Sequence, residues 1–268
     1  MKIRFLSLLA CLAVGTLLAD AQIKLTKDTI QCPIIGFNVG LVAPFESRNN
    51  GNMVDLYKPP YLYYGLDATY KLKTNWLFTV DGGIVIGSDN LRDRYDRMGS
   101  VYSDDYYPLV ISTGGVDAEA ACFNRALSFR AGAGKILPFN MQRNPNSGLA
   151  LRLLGGFWQQ KTIFMLNNEH APQLEGDYAR LYDHKRRGFS LTQSVGYHFM
   201  SNESSMLNFS VTAELTQIWS HSVRDYVIDN LLGIHGPDNN KYFDLLFNIK
   251  VCWMIPLKGR TTYDFYFY

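Results

Sequence analysis

The chain has very little with which to build an ordinary membrane anchor, a metal centre or a disulfide scaffold. Beyond residue 18 no stretch approaches the roughly 18 apolar residues that a spanning helix needs. Of its 4 cysteines, Cys11 lies in the N-terminal apolar segment, leaving Cys32, Cys122 and Cys252. An odd number closes no complete disulfide framework, and neither CxxC nor a Cys/His metal spacing occurs. Charge of one sign is also missing. The 26 Lys and Arg face 24 Asp and Glu, which gives no footprint for nucleic acid. There is no HExxH, no nucleophile elbow and no EF-hand loop, so the sequence calls for no cofactor and no metal. No linker or internal repeat divides it, and it reads as one domain.

What is present begins with alternation. From Phe243 to Ile255, the residues Phe243, Leu245, Phe247, Ile249, Val251, Trp253 and Ile255 share one face, against Asp244, Leu246, Asn248, Lys250, Cys252 and Met254 on the other. Such a strand suits lipid on one side and a lumen on the other. In hydrocarbon its backbone needs a closed barrel.

The N-terminus supplies an address. Lys2 and Arg4 precede an apolar segment from Phe5 to Leu18, and Ala19-Asp20-Ala21 offers small residues where a signal peptidase cuts. A secretory signal is expected over 1–21, with the barrel and its tail over 22–268. Its removal leaves a net charge near +1.

Seven further segments alternate in the same way: 35–42, 62–72, 76–86, 127–134, 149–158, 189–199 and 207–216. With the last, they predict an all-β fold, an eight-stranded antiparallel up-and-down transmembrane β-barrel with long extracellular loops. No residue assigned outward is charged. The inward set holds Asp67, Asp81, Glu214 and Asp244 against Lys71, Arg130, Arg152 and Lys250. An eight-stranded barrel is filled by side chains, and buried charges must pair, so a neutral interior network of these residues is expected. Arg152 is expected to pair with Glu214 or Asp81. A two-sheet soluble sandwich also alternates, but it would turn its charged face to water.

The connections alternate long and short. Segments 44–61, 87–126, 159–188 and 220–242 are long, whereas 73–75 and 201–205 are short and 140–147 is a moderate turn. Outer-membrane barrels keep short turns on the periplasmic side, which places both termini there. Tyr57, Tyr61, Trp76, Trp158, Trp219, Trp253 and Tyr268 fall near predicted strand ends, as interfacial aromatics do.

Candidate chemistry lies in the loops. Asp183-His184 resembles an acid–base pair, although neighbours in a loop rarely face each other. Asp89-Asn90 and Asp104-Asp105 lack a calcium-loop spacing and read as solvated acidic turns. Lys185, Arg186 and Arg187 are candidates for contact with lipopolysaccharide phosphates. Tyr102, Tyr106 and Tyr107 suit either a partner surface or a self-packed cap. Tyr263, Phe265, Tyr266 and Tyr268 make the segment after residue 257 dense in aromatics. That tail reads as an insertion signal or as a docking segment for a periplasmic partner, with docking favoured because the preceding strand already spans.

The signal, the eight alternating strands and the run from Gly236-Pro237-Asp238 through Phe243-Asp244-Leu245-Leu246 to Lys250-Val251-Cys252-Trp253-Met254-Ile255-Pro256 resemble the small outer-membrane β-barrels of Bacteroidota-type bacteria. One class of that size is the barrel subunit of the type IX secretion system, although no diagnostic motif of that subunit is matched. The resemblance implies a non-catalytic structural or interaction barrel in the outer membrane, within a secretion or surface assembly. Its expected partners are membrane lipid, lipopolysaccharide and a periplasmic or outer-membrane protein. The alternative is a barrel enzyme acting on outer-leaflet lipid or surface peptide, and third is a soluble lipocalin-like binder.

Overall fold

A computed structural model describes residues 29–45, 60–87, 109–111, 113–115, 117–139, 144–166, 170–171, 174, 176, 183–201, 208–223, 227–229, 233–235, 237 and 240–257. The eight long strands are β1 (Cys32–Phe45), β2 (Tyr61–Lys71), β3 (Trp76–Ile86), β5 (Asp117–Pro138), β6 (Gly148–Leu166), β7 (Arg186–Phe199), β8 (Phe209–Ser222) and β11 (Lys241–Pro256). The described residues also form three short strands: β4 (Leu109–Ile111), β9 (Val227–Asp229) and β10 (Gly233–His235).

Each long strand pairs antiparallel with its neighbour in the chain, and β1 pairs with β11 to close the ring. The architecture is therefore an eight-stranded up-and-down β-barrel with no free edge in its wall. The pairing row that starts at Phe199 passes through Phe209, Trp253, Phe37, Leu66, Gly82, Phe129 and Phe157 and returns to β7 at Phe189. It comes back displaced by ten residues, from 199 to 189. Over eight strands that stagger corresponds to a tilt of about 40°.

Side chains sort by parity. Every residue of that spiral row except Gly82 is apolar, and all of them sit on the outer face. Phe129 is 58% exposed and Trp253 51%, as a soluble core would never allow. A closed ring with a continuous apolar exterior is the form that hydrocarbon solvates. The outer face also carries Gln193 and Gln217, which the apolar alternation conceals.

The predicted strands differ from the observed ones chiefly at the long-connection end. β5 begins ten residues before the predicted 127, and β6 runs eight beyond the predicted 158. Both extend above the point where β3 ends, because Ile86 already pairs with Arg125. Outside the membrane both faces of a strand meet water, so the apolar–polar alternation that marks strands in the sequence fades there. For the same reason β4, which pairs with the start of β5, and the β9–β10 hairpin lie inside segments that read as loops.

Candidate functional site

The lumen holds the chemistry. It is filled in layers. Toward the long-connection end, Val42, Tyr63, Val85, Trp158, Ile218 and Leu246 form an apolar layer. At the opposite end Ile30, Cys32, Ile34, Met200, Cys252 and Met254 form another, beside Leu77, Ile136 and Ala150. Between these layers lies a compact charge cluster.

Asp81 on β3 and Arg130 on β5 are register partners, so their side chains start side by side on the inner wall. Arg130 donates to Asp81 through Nε at 2.9 Å and Nη2 at 2.5 Å. Its Nη1 reaches Glu214 Oε2 at 3.4 Å across the lumen. Lys250 closes the figure, with Nζ 2.7 Å from Glu214 Oε1 and 3.3 Å from Asp81 Oδ2. Two acids and two bases thus alternate around a neutral square, each with side-chain exposure of 4% or less. Burial in this layer makes neutrality compulsory, since an unpaired ion there would lose hydration with nothing to replace it.

Neutral groups complete the hydrogen bonding. The Tyr63 hydroxyl donates to Asp81, at 3.1 Å to Oδ1, and accepts from Arg130 Nη2 at 3.3 Å. Arg130 Nη1 donates to Thr192 Oγ1 at 3.1 Å, and Asn248 Nδ2 to Glu214 Oε2 at 3.2 Å. Both Arg130 and Lys250 also lie over the Tyr63 ring, 5.8 and 5.7 Å from its centroid. The ring has room only because Gly65 and Gly83, paired across β2 and β3, have no side chains. A Cβ at either would strike the phenol.

The remaining interior candidates are placed apart from the square. Asp67 accepts from Asn38 Nδ2 at 2.8 Å, Thr69 Oγ1 at 2.9 Å and Cys252 Sγ at 3.3 Å. Lys71 sits at the floor, donating to the Ile30 carbonyl at 3.1 Å and to Asn146 Oδ1 at 2.9 Å. Arg152 faces inward against Gly134 and makes no ion pair with Asp81 or Glu214, whose charges are taken by Arg130 and Lys250. The expected pairing of Arg152 is thereby corrected. Arg152 pairs in register with Gly134, four residues down β5 from Arg130, and so belongs to a lower layer. Asp244 lies at the rim, 3.6 Å from Arg186 Nη1.

Of the basic triplet, Arg186 turns inward and stacks 3.8 Å above the Tyr242 ring, whereas Arg187 points outward and donates to Gln159 Oε1 at 2.8 Å. Lys185 is half-buried just before β7. Asp183 accepts the Lys185 amide at 3.1 Å. The three remaining cysteines are buried thiols that form no disulfide. The segment 1–21 expected to be a signal, the residues from 88 to 108 and the tail with Tyr263, Phe265, Tyr266 and Tyr268 lie outside the described residues. Sequence reading missed Tyr63, Asn248 and Thr192 as members of the cluster. Their inward parity was visible, but their convergence depends on the ten-residue stagger.

No protein-family model matches the chain, and no curated relative matches it in sequence. Among solved structures, it is similar to the attachment invasion locus protein Ail of Yersinia pestis bound to the heparin analogue sucrose octasulfate, at 11% identity and a TM-score of 0.37, covering 84% of this chain and 97% of that one. Neisserial surface protein A is 8% identical, with 84% and 97% covered and a TM-score of 0.35. The N-terminal β-barrel domain of Pseudomonas aeruginosa OprF is 10% identical, with 84% and 100% covered and a TM-score of 0.34. At these values the barrel assignment stands on the strand pairing and the burial pattern of this chain itself.

Proposed function

We propose that the chain is a non-catalytic outer-membrane β-barrel, a closed and plugged body that anchors surface-facing connections for interaction. The observation that carries this reading is the neutral square of Asp81, Arg130, Glu214 and Lys250 held between two apolar layers. A conducting pore needs a hydrated path, and a catalytic lumen needs access for substrate. A layered plug offers neither. Asp183, the one acid of the Asp183-His184 pair, spends a carboxylate oxygen on the Lys185 amide, which gives no support to the enzyme alternative.

The short connections and both described ends lie at the same end of the barrel, since Ile30 donates to Asn146 and Leu257 to the Pro33 carbonyl. This supports periplasmic termini, while a signal over 1–21 and a periplasmic tail over about 257–268 rest on the sequence reading alone. Membership of a secretion or surface assembly is a narrower reading that rests on the family resemblance. Co-purification from native membranes tests it.

The decisive experiment pairs two measurements on the full chain. Unboiled protein should migrate differently from boiled protein on a detergent gel, as closed barrels do, and planar bilayers holding it should show no steady conductance. Identical mobility together with recovery in the soluble fraction would sink the barrel reading. Sustained ionic current would sink the plugged-body reading.

A further inference from the structure

On the outer wall at the long-connection end, β3, β5 and β6 enclose a groove of about 270 Å³. Its apolar side is Ile84, Ile86 and Leu127, and its polar side is Arg125, Gln159 and Lys161. Register explains the grouping. Ile86, the last residue of β3, pairs with Arg125, which pairs with Lys161. Two residues below, Ile84 pairs with Leu127, which pairs with Gln159, and Gln159 pairs with Arg187 on β7. Arg187 donates to Gln159 Oε1 at 2.8 Å, which draws a third cation to the edge of the groove.

Among the described residues, these cations differ from those of the lumen in having no acid beside them. Arg125 Nη1 donates to the carbonyls of Gly87 and Asn124, at 3.1 and 3.3 Å, and its guanidinium lies 5.3 Å from the Phe123 centroid. These contacts fix the head group without neutralising it. Among the described residues no carboxylate forms an ion pair with Arg125, Lys161 or Arg187. Directly below the groove the wall is apolar through Phe129 and Phe157, which pair with each other. A ligand that matches both halves is an amphiphile, anionic at its head and apolar beneath.

We propose that this groove binds the phosphate head group of a membrane lipid, with Arg125 and Lys161 as its ligands, Arg187 as flanking cation, and the acyl chains lying along Leu127, Phe129 and Phe157. An arginine fork and a lysine point charge suit phosphate oxygens, and both side chains reach the water interface over apolar stems. The inference rests on the barrel spanning an outer membrane.

The test uses the full chain in bilayer nanodiscs of zwitterionic lipid, with retention of added lipid read by native mass spectrometry. The probes are bisphosphorylated lipid A and the same lipid with its phosphates removed. Retention should favour the phosphorylated form by roughly tenfold, a difference of about 1.4 kcal/mol. Lys161→Gln alone should weaken that preference, and Arg125→Gln with Lys161→Gln should erase it. Lys135→Gln, which removes an outward lysine beside Trp76 at the opposite rim, should leave it intact. Equal retention of the two lipids, or equal loss in the Lys135 variant, overturns the proposal. Complete displacement by excess inorganic phosphate also overturns it, because the apolar half would then contribute nothing. Failure of the unmodified chain to show a heat-modifiable band before any lipid is added would instead refute the barrel reading beneath it.

Discussion

At the scale of single residues, the square makes its members unequal to other interior charges. Removing Arg130 leaves Asp81 and Glu214 to share Lys250, an excess negative charge among groups with almost no solvent contact. Arg130→Leu should therefore cost about 3–5 kcal/mol, read as a fall in the temperature at which the folded gel band disappears. Arg152→Leu should cost clearly less, because Arg152 bonds to neither acid of the square. A loss for Arg152→Leu equal to that for Arg130→Leu would show that the interior behaves as one diffuse field rather than as a localised square. The opposite sign is expected on the outer wall. Gln193 is exposed on the lipid-facing side of β7, between Leu153 and Leu215 in register. An amide facing hydrocarbon without a partner is unfavourable by about 1–3 kcal/mol. Gln193→Leu should raise the melting temperature in bilayers. A drop would point to a polar neighbour at that face.

At the scale of elements, strand parity was readable in the sequence wherever one face meets lipid, while register was not. The outward residues of β1, β2 and β3 are the ones alternation assigns, and the inner charges fall on the predicted face. Which inner charges meet depends on how far each strand slides against the next, and no local pattern encodes that. Arg152 and Arg130 are indistinguishable by periodicity, yet only Arg130 is level with Asp81. Strand length was likewise legible only where one face meets lipid. Phe123 and Cys122 stand side by side in β5 and mark no face, so the extension of the β5–β6 hairpin stayed hidden. The glycines of the inner wall carry a further consequence. Gly65 and Gly83 give Tyr63 its berth, and Tyr63 bonds both Asp81 and Arg130. Gly83→Ala should expel the ring and lower stability by about 1–3 kcal/mol through overpacking. The double variant Gly83→Ala with Tyr63→Phe should relieve only part of the clash, because the added Cβ meets the ring atoms Cζ and Cε2 as well as the hydroxyl oxygen, whereas Gly83→Ala with Tyr63→Ala should remove the overpacking part entirely. The same stability measurement separates them.

At the scale of the whole molecule, closure decides what the barrel can do without its ends. The seam between β1 and β11 runs from Ile34 opposite Pro256 to Phe45 opposite Leu245, and the Leu257 amide adds a last bond to the Pro33 carbonyl. Every pairing of the seam is thus made before residue 258. Four aromatics, Tyr263, Phe265, Tyr266 and Tyr268, still follow. Were they needed for the wall, the wall would be incomplete without them, and it is not. A chain ending at Leu257 should therefore insert, resist detergent until boiled, and melt within a few degrees of the full chain. On the proposed reading the aromatics have a second role, docking a periplasmic partner, since apolar groups with no place in a wall concentrate at contact sites. Co-purification from native membranes should lose one protein when the tail is removed, while the folded band persists. Loss of insertion itself would assign the tail to assembly of the barrel and remove the argument for that partner.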